Sequence, residues 1–214
     1  MPKRNPASPS DWAVTYTRTV AAAIRHHRKR QGLSVQSVAD RCTDLGYPIE
    51  RTNLAKLEGG ARTSMSVAEL LVLARALDTP PLTLLAPIGQ DAPTEILPGI
   101  ETAPGEAAAW LDGTTPPPDA PHDDAGADLR AELQALRDHH RLVAEWTART
   151  RSAEAAGERA ADDTDPHGKA WAEAVALHAR HAGHAADQLA FLRAAMRARG
   201  EALPYLPPGL IHLE

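Results

Sequence analysis

The chain has 214 residues, of which 43% are hydrophobic and 4% aromatic, and its formal net charge at pH 7 is -5. This length gives room for one large domain or two small ones with a buried core, and the single cysteine, Cys42, excludes an internal disulfide framework. The first residues, MPKRNPASPSDW, lack the apolar run of a signal peptide, and no window approaches the roughly 18 apolar residues of a membrane helix. We therefore expect a cytoplasmic protein.

Five short helices are predicted in residues 13–87, after an N-terminus (1–12) that we expect to be disordered. The first helix ends in the basic run RHHRKR and is closed by Gly32. Ser34 stands at the N-cap position of the second helix, whose apolar face ends at Cys42. The sequence GYP then breaks this helix, because Gly and Pro interrupt helical structure.

The third predicted helix lies in the polar stretch IERTNLAKLEGG, in which Leu54 and Leu57 share one face and two glycines end the helix. The fourth helix begins at Ser66, where Glu69 completes a capping box, and it carries a broad apolar stripe. A fifth, proline-initiated helix or turn follows within 80–87.

Residues 88–126 are predicted to be a proline-rich connection, because eight of the 18 prolines of the chain lie within 87–121. Inside this connection, TEIL (94–97) is typical of a short strand, and GEAAAWLDG (105–113) is typical of a two-turn helix. The stretch from 113 to 126 has the composition of a flexible linker.

Two long helical segments follow, at about 127–160 and 168–199, and both carry residues in a 4-3 alternation that is typical of a coiled-coil seam. The short break between them predicts an antiparallel hairpin over 127–200, folded near position 164 and serving dimerisation or sensing. Residues 201–214 are expected to form a C-terminal tail.

The predicted seam consists of Leu129, Leu133, Leu136, His140, Val143 and Thr147 in the first helix, and of Trp171, Val175, His178, Ala182, Ala185, Leu189, Leu192 and Met196 in the second. The predicted neighbours are Val143 with Ala185, Leu136 with Leu192, and Trp146 with Ala182 and Gly183.

The net charge is divided unevenly along the chain. Residues 1–62 carry 11 Lys and Arg against 5 Asp and Glu, a balance of +6, whereas residues 63–214 have a balance of -11. A basic module joined to an acidic remainder is what binding of nucleic acid through one end would produce, although drift in composition also gives such a division.

The run 24–86 resembles the Xre/Cro-type helix-turn-helix domain of phage repressors and many bacterial regulators. The motifs that carry the resemblance are IRHHRKRQGLS (24–34), VQSVADR (35–41), IERTNLAKLEGGAR (49–62) and SVAELLVLARALDTPPLTLL (66–85). The later segment TEILPG…AAAWLDG is similar, more weakly, to the segment after this domain in its longer actinobacterial variety. Together with the heptad pattern, the resemblance predicts an all-α fold: a five-helix helix-turn-helix DNA-binding domain plus a C-terminal antiparallel helical hairpin or coiled coil.

The third helix is the predicted recognition helix, and its residues can be divided by face. A rotation of about 100° per residue, with Leu54 at the centre of the buried face, determines which residues point outward. The outward residues are Thr52, Ala55, Lys56 and Gly59, with Arg51 beside them at the N-terminal end. By resemblance, Arg51, Thr52 and Lys56 read bases, and Asn53 shares in this or binds phosphate. Arg and Lys suit the O6/N7 edge of guanine, and Thr can contact a thymine methyl group.

Further site residues are implied by the resemblance. Arg62, just past the third helix, and Ser34, at the start of the second, match positions that contact DNA phosphates in the family, and the N-terminal amides of the second helix would favour a phosphate. Lys29, in the basic run, is a third candidate phosphate contact. The positions of Arg28 and Glu58 form a structural ion pair in the resembled family.

The chain departs from the resembled pattern in three places. The interval between Ala39 and Arg51 is about one helical turn longer than in compact phage repressors. Val35 stands where the family commonly has a polar residue that contacts phosphate. Glu50 could cap the third helix, accept a hydrogen bond from a cytosine amine, or repel phosphate.

These patterns predict a sequence-specific transcriptional regulator, associated with the nucleoid, that binds double-stranded DNA as a homodimer on a pseudo-palindromic operator. The alternative is a protein-interaction module, an antitoxin or adaptor, whose C-terminal hairpin binds a partner protein. A regulator that responds to a metal, a small molecule or a protein effector is also open. His178, His181 and His184 are spaced i, i+3, i+6, so neighbours could share a metal but all three would splay.

The sequence shows no phosphate loop, no nucleophile elbow and no carboxylate pair that can be placed in a pocket. We therefore predict that the protein is not an enzyme and needs no cofactor or metal. Cys42 is predicted to be a small apolar core residue rather than a redox sensor.

Overall fold

A computed structural model describes residues 9–86, 88, 93–119, 126–162 and 164–213. These described residues are predominantly helical, at 69% helix. The described residues form nine helices and one two-stranded sheet, and none of these helices is long and apolar enough to cross a membrane. The chain divides into two compact units, Met1–Asp124 and Ala125–Glu214.

The first unit begins with five helices that share one core. They are α1 (Pro9–Arg30), α2 (Val35–Asp44), α3 (Arg51–Glu58), α4 (Val67–Ala76) and α5 (Pro81–Leu85). The first helix begins at Pro9, inside the 1–12 segment expected to be disordered; residues 1–8 lie outside the described part of the chain. The core is made of aliphatic residues from every one of these helices, including Ile24, Val38, Leu54, Leu57, Leu73 and Leu84.

The ends of these helices follow local rules that the sequence displays. Ser34 caps α2 by accepting a hydrogen bond from the backbone N–H of Ser37, and Ser66 and Glu69 form the complete capping box that was predicted for α4. Gly32 has a φ of +68°, in the left-handed region that lets the chain turn sharply after α1. These caps confirm the starts predicted for α2 and α4.

The proline-rich segment folds onto the first unit. Strands β1 (Thr94–Leu97) and β2 (Ile100–Thr102) pair antiparallel, and α6 spans Pro104–Leu111. The Trp12 indole donates to the carbonyl of Glu95 over 3.0 Å, and the Tyr16 hydroxyl donates to the carbonyl of Leu85 over 2.9 Å. Burial raises the pKa of Tyr16 to about 12. The strand and helix expected within 94–113 are thus present. They form a second small cluster, in which Ala86, Ile96 and Ala107 are buried and Tyr16 packs, rather than a loose connection.

Part of the predicted linker, residues 120–125, lies outside the described residues. The described part begins with a tight turn after α6, where Gly113 has a φ of +78°. The small sheet is a departure from an all-helical chain, because the sequence between α5 and α6 is rich in prolines and β-formers rather than helix formers.

The second unit is a helical hairpin of α7 (Ala127–Ala160) and α8 (Gly168–Ala198). Near the turn, the Arg159 guanidinium lies 4.6 Å from the centre of the Trp171 ring. At the other end, Arg193 of α8 lies beside His139 of α7. The C-terminal part of α7 thus contacts the N-terminal part of α8, and the N-terminal part of α7 contacts the C-terminal part of α8. The two helices therefore run antiparallel, as the short break predicted.

The seam of α8 is confirmed at Ala182, Ala185, Leu189 and Met196, which are buried. Arg193 is buried in place of the predicted Leu192, which is only partly buried, as are Trp171, Val175 and His178. The seam of α7 was placed wrongly by one residue. Its buried residues are Ala135, His139, Leu142 and Ala156, whereas the predicted Leu129 and Leu133 are 61% and 37% exposed and His140 is exposed. Two series with 4-3 spacing run side by side along α7, and only one of them faces α8.

The second α7 series is partly covered by a third layer, the segment after α8. Leu206 and Leu210 are almost fully buried, and they pack with Leu142 and Leu189; this segment includes a 3₁₀ helix, Pro208–Leu213. Residues 201–213, expected to be a tail, are therefore part of the core of this unit.

Trp146 packs within this layer rather than at the expected neighbours. A Cβ added to Gly209 would lie 2.5 Å from the Trp146 ring, whereas one added to Gly183 would meet no described atom within 4 Å. The predicted contact of Trp146 with Gly183 is therefore wrong. The ring lies instead on the flank of α7 that the C-terminal segment covers.

Arg193 joins all three layers although it is only 4% exposed. Its guanidinium donates to His139 Nε2 (3.0 Å), to the Pro204 carbonyl (2.8 Å) and to the Leu213 carbonyl (3.2 Å). Because arginine can only donate, His139 Nε2 accepts and the ring proton sits on Nδ1, a buried atom with no hydrogen-bond partner among the described residues. Burial first, then the charge of Arg193 and of His140, lowers the pKa of His139.

We expect the stability of the second unit to fall as the pH drops below about 6.5, the pKa of an unperturbed histidine. Above that pH His139 is neutral in both the folded and the unfolded chain. Below it, His139 takes up a proton in the unfolded chain but stays neutral in the folded chain, because its pKa is lower there. Unfolding is therefore increasingly favoured until the pH reaches the folded-state pKa. The loss is about 1.4 kcal/mol for each unit between the two pKa values. The measurement is urea unfolding between about pH 7 and pH 5.

The variant His139→Gln keeps an acceptor for Arg193 but cannot titrate, so its unfolding free energy should depend less on pH than that of the wild type. The matched control is His181→Gln, at an exposed position of α8, which should keep the wild-type slope. Equal slopes for the wild type and His139→Gln would show that His139 does not set this pH dependence.

Candidate nucleic-acid interface

Helix α3 is anchored on one side and exposed on the other. Leu54 and Leu57 are 0% and 1% exposed, and both belong to the core of the first unit. Ile49, just before the helix, is also buried. The exposed residues of the helix are Arg51, Thr52, Asn53, Ala55 and Lys56. All four residues predicted to read bases therefore lie on the solvent-facing side of α3.

Glu50 takes the N-cap position of α3 but makes no capping hydrogen bond to the backbone. Its carboxylate instead accepts a hydrogen bond from the hydroxyl of Thr52 over 3.3 Å. A negative charge at this end of a helix is stabilised by the helix dipole, and the contact engages the Thr52 hydroxyl. Of the three roles open to Glu50, capping of α3 by a side-chain hydrogen bond is not observed. The two roles that involve DNA stay predictions.

The Arg28 and Glu58 side chains are brought together by the fold. Arg28 Nε and Nη2 donate to the two Glu58 carboxylate oxygens over 2.7 Å each, and the side chains are only 11% and 6% exposed. Arg28 Nη1 also donates to the Leu33 carbonyl over 2.7 Å. The hydrogen bond to Glu58 raises the pKa of Arg28. This bidentate pair ties the C-terminal turn of α3 to the end of α1.

Ser34 and Arg62 both have internal partners. Ser34 is exposed, and its hydroxyl lies 2.8 Å from that of Ser37 while it caps α2. Arg62 donates twice to the carboxylate of Glu69, over 2.7 and 3.0 Å, and this hydrogen bonding lowers the pKa of Glu69. The Arg62 side chain therefore supports the capping box of α4. Sequence reasoning missed this pairing, because nothing local links the loop after α3 to α4.

An open groove of about 570 Å³ lies between α1 and the turn after α3. We call it the α1 groove; it is lined by Arg18, Ala22, Arg25, His26, Lys29, Glu58, Gly59 and Gly60. Arg18, Arg25 and Lys29 are exposed, and Arg18 Nε donates to the Gly60 carbonyl over 3.4 Å. Of these three cations, Lys29 was named as a phosphate contact and Arg25 belongs to the same basic run, whereas Arg18 was not predicted to contact DNA. The signal that could have found the others is their spacing of seven and four residues along one helix face.

Cys42 is 0% exposed, and burial raises the pKa of its thiol. The described residues contain no group of three or more His, Cys, Asp and Glu side chains that could hold a metal ion. On α8, His184 lies 2.9 Å from the amide of Gln188, and His178 is partly buried in the seam. The histidine series of α8 is therefore spread around the helix, as its i, i+3, i+6 spacing predicted.

No protein-family model, curated protein or solved structure matches the chain. Three features characterise this face of the first unit: the anchored leucines of α3, the exposed polar side of this helix, and the basic α1 groove beside its C-terminal end.

Proposed function

We propose that the first unit is a helix-turn-helix DNA-binding domain of the Xre/Cro type and that the protein is a sequence-specific transcriptional regulator. The observation that carries the proposal is the two-sided character of α3. Leu54 and Leu57 fix the helix in the core while Arg51, Thr52 and Lys56 remain exposed. A helix presented in this way can enter the major groove of DNA, where its N-terminal half reaches the base edges.

Each exposed side chain of α3 has a chemical role in this proposal. Arg51 and Lys56 donate to the O6 and N7 atoms of guanine, and the Thr52 methyl group contacts thymine. Asn53 donates to a base edge or a phosphate. Glu50 keeps the Thr52 hydroxyl engaged, so Thr52 presents its methyl group rather than its hydroxyl to the DNA.

Phosphate contacts would fix the position of α3 in the groove. Ser34 and the N-terminal amides of α2 offer hydrogen-bond donors at the positive end of a helix. Lys29 is exposed on α1. Arg62 is engaged by Glu69, so its main part in the proposal is to hold the loop that follows α3.

The proposed active form is a homodimer on a pseudo-palindromic site, with half-sites about one helical turn of DNA apart. Since the coiled-coil seam of α7 and α8 is filled within one chain, self-association would use another face of the hairpin. Phe191 is 80% exposed and Leu177 is 43% exposed on the outer side of α8. Such exposed apolar side chains are typical of association surfaces, and we place the contact between two copies there.

A second candidate function is that of a protein-interaction module, an antitoxin or adaptor. It is favoured by large exposed side chains in the second unit, where Phe191 is 80% and Tyr205 is 81% exposed. Such a protein would co-purify with a stable partner. It would also lack the steep fall in DNA affinity with rising salt that phosphate contacts produce.

The test of the DNA-binding proposal is selection of bound duplexes from a random library at stated salt, followed by mobility shifts with the selected site. We expect a palindrome to be recovered. Arg51→Ala and Lys56→Ala should each weaken binding to it by about 1–3 kcal/mol, with a relaxed preference at one base position. The circular dichroism of both variants should stay unchanged, because both residues are exposed.

The matched control for this test is Arg75→Ala. Arg75 is an exposed arginine of α4, 71% of its side chain being accessible, and its only ion-pair contact among the described residues is a long one of 3.7 Å to Asp78. It should bind the selected site like the wild type. Unchanged binding by both α3 variants would refute the assignment of α3 as the recognition helix.

A further inference from the structure

We propose that the α1 groove is a second DNA-backbone site, which holds phosphates flanking the base pairs that α3 reads. The inference rests on the proposed function, since it needs DNA on the outer face of α3. To Lys29 it adds Arg25, from the same basic run, and Arg18, which lies outside the quoted motifs, as residues that bind the phosphate backbone. The ligand is the repeating phosphate chain of duplex DNA, so contacts here would be independent of base sequence.

The arrangement of the cations fits an extended polyanion. Arg18, Arg25 and Lys29 lie on one face of α1, because their spacings of seven and four residues are close to whole helical turns. At 1.5 Å per residue, Arg18 and Lys29 are about 16 Å apart along the helix axis. A single small anion would need cations that converge on one point. Successive phosphates of one strand, about 3.4 Å apart along the duplex axis, fit a row of this length better.

The groove is basic because its one acidic side chain is already neutralised. Glu58 lines the groove, but both of its carboxylate oxygens accept from Arg28. Within the described part of the chain, Arg25 and Lys29 form no ion pair. A polyanion entering the groove therefore meets cations that are not committed to a described carboxylate, which is the arrangement that releases counterions on binding.

The floor of the groove permits a close approach of the DNA backbone. It is formed by Gly59 and Gly60, which have no side chains, and Gly60 has a φ of +73°, a conformation that other residues rarely adopt. The Gly60 carbonyl accepts from Arg18 Nε, which keeps the Arg18 side chain along the wall of the groove.

The α1 groove is also continuous with the face that reads bases. Gly59 follows Lys56 by three residues, so the two positions are neighbours on one side of α3. A strand that leaves the major groove at the C-terminal end of α3 would pass Gly59 before it reaches Arg25 and Arg18. The recognition face therefore extends past the helix and along α1.

The test compares two duplexes that contain the same selected site, one trimmed to the recovered palindrome and one extended on both sides by mixed sequence. The proteins are the full-length wild type, Arg25→Gln, the double variant Arg18→Gln/Arg25→Gln, and the control Arg75→Gln. Affinities are measured by fluorescence anisotropy over a range of salt concentrations. Circular dichroism checks that each variant is folded.

We expect the wild type to bind the extended duplex more tightly than the trimmed one. The double variant should lose most of this gain. Two lost phosphate contacts would reduce the slope of log affinity against log salt by about 1.8, which is about 30-fold in affinity near physiological salt. Arg25→Gln alone should lose about half of the slope change, and the preferred base sequence should be the same in all variants. Arg75→Gln should behave like the wild type.

Two other outcomes are decisive. If the wild type binds the selected site but the double variant matches Arg75→Gln on both duplexes, the α1 groove does not bind the backbone and the proposed function stands without it. If the wild type binds neither a selected site nor a mixed-sequence duplex in a salt-dependent way, both the inference and the proposed function are overturned. Binding of an acidic polypeptide such as polyglutamate under the same conditions would then assign the groove to a protein partner.

Discussion

We expect replacement of Leu210 by alanine to lower the free energy of unfolding of the second unit by about 2–5 kcal/mol, the usual range for truncating a fully buried leucine. Leu210 is 0% exposed and packs with Leu142, Leu189 and Leu206. The truncation removes buried apolar surface and leaves a cavity between the C-terminal segment and both long helices. A loss of this size is a large fraction of the stability of an ordinary domain, so the variant should be near the limit of folding in this unit.

The measurement is urea unfolding of the full chain, followed by amide hydrogen exchange in α7 and α8 so that the transition of the second unit is observed separately. The matched control is Ile211→Ala. This neighbouring side chain is 47% exposed, and its truncation should change the free energy of unfolding by about 0.5 kcal/mol or less. Equal losses in the two variants would show that the 3₁₀ helix is not part of the core.

The importance of Leu210 could not be read from its own neighbourhood in the sequence. Leu206, Leu210 and Leu213 continue a spacing of four and three, but prolines at 204, 207 and 208 argue against a helix there. A 3₁₀ helix that buries Leu210, with Leu206 buried just before it and Leu213 partly buried at its end, is compatible with both facts. Whether such a segment packs depends on a partner surface more than 50 residues away, on α7, which local periodicity does not specify.

The one-residue error in α7 has the same origin. The sequence offers both Leu136, His140 and Val143 and the adjacent Ala135, His139 and Leu142 with coiled-coil spacing. The bulkier first series was the natural choice for a two-helix seam. In the folded unit Val143 faces the C-terminal layer, and the smaller series faces α8, where Arg193 needs space and an acceptor. The heptad pattern of a two-helix hairpin cannot predict which face of α7 is buried when α7 packs against both α8 and the C-terminal segment.

The first unit was more predictable, because its helix starts and ends depend on neighbouring residues. The caps at Ser34 and Ser66, the glycine after α1 and the spacing of Leu54 and Leu57 are all local, and the structure contains each of them. The long-range contacts were not predictable from pattern alone. The pairing of Arg28 with Glu58 was expected from the family resemblance, and the contact of Arg62 with Glu69 was not anticipated.

The ion pair of Arg28 and Glu58 should contribute strongly to stability. We expect Glu58→Ala to lower the free energy of unfolding of the first unit by about 3–5 kcal/mol, because it leaves the buried Arg28 guanidinium without a counter-charge. The Arg28 side chain is only 11% exposed and is also held by the Leu33 carbonyl, so it cannot simply turn into solvent. The measurement is urea unfolding with hydrogen exchange in α1 and α3. The exposed pair of Arg75 and Asp78 is the control, and Arg75→Gln should cost about 1 kcal/mol or less.

A double variant separates the cost of an unpaired charge from the value of the pair itself. Arg28→Met/Glu58→Leu removes both charges and keeps apolar volume, so it should recover much of the stability lost in Glu58→Ala, as paired replacement of buried charges often does. It cannot recover the hydrogen bond to the Leu33 carbonyl, and some loss should remain. If instead the double variant were as unstable as Glu58→Ala, the contribution of Arg28 would come from the Leu33 contact rather than from Glu58. The pair would then fix the turn after α1 and not the end of α3.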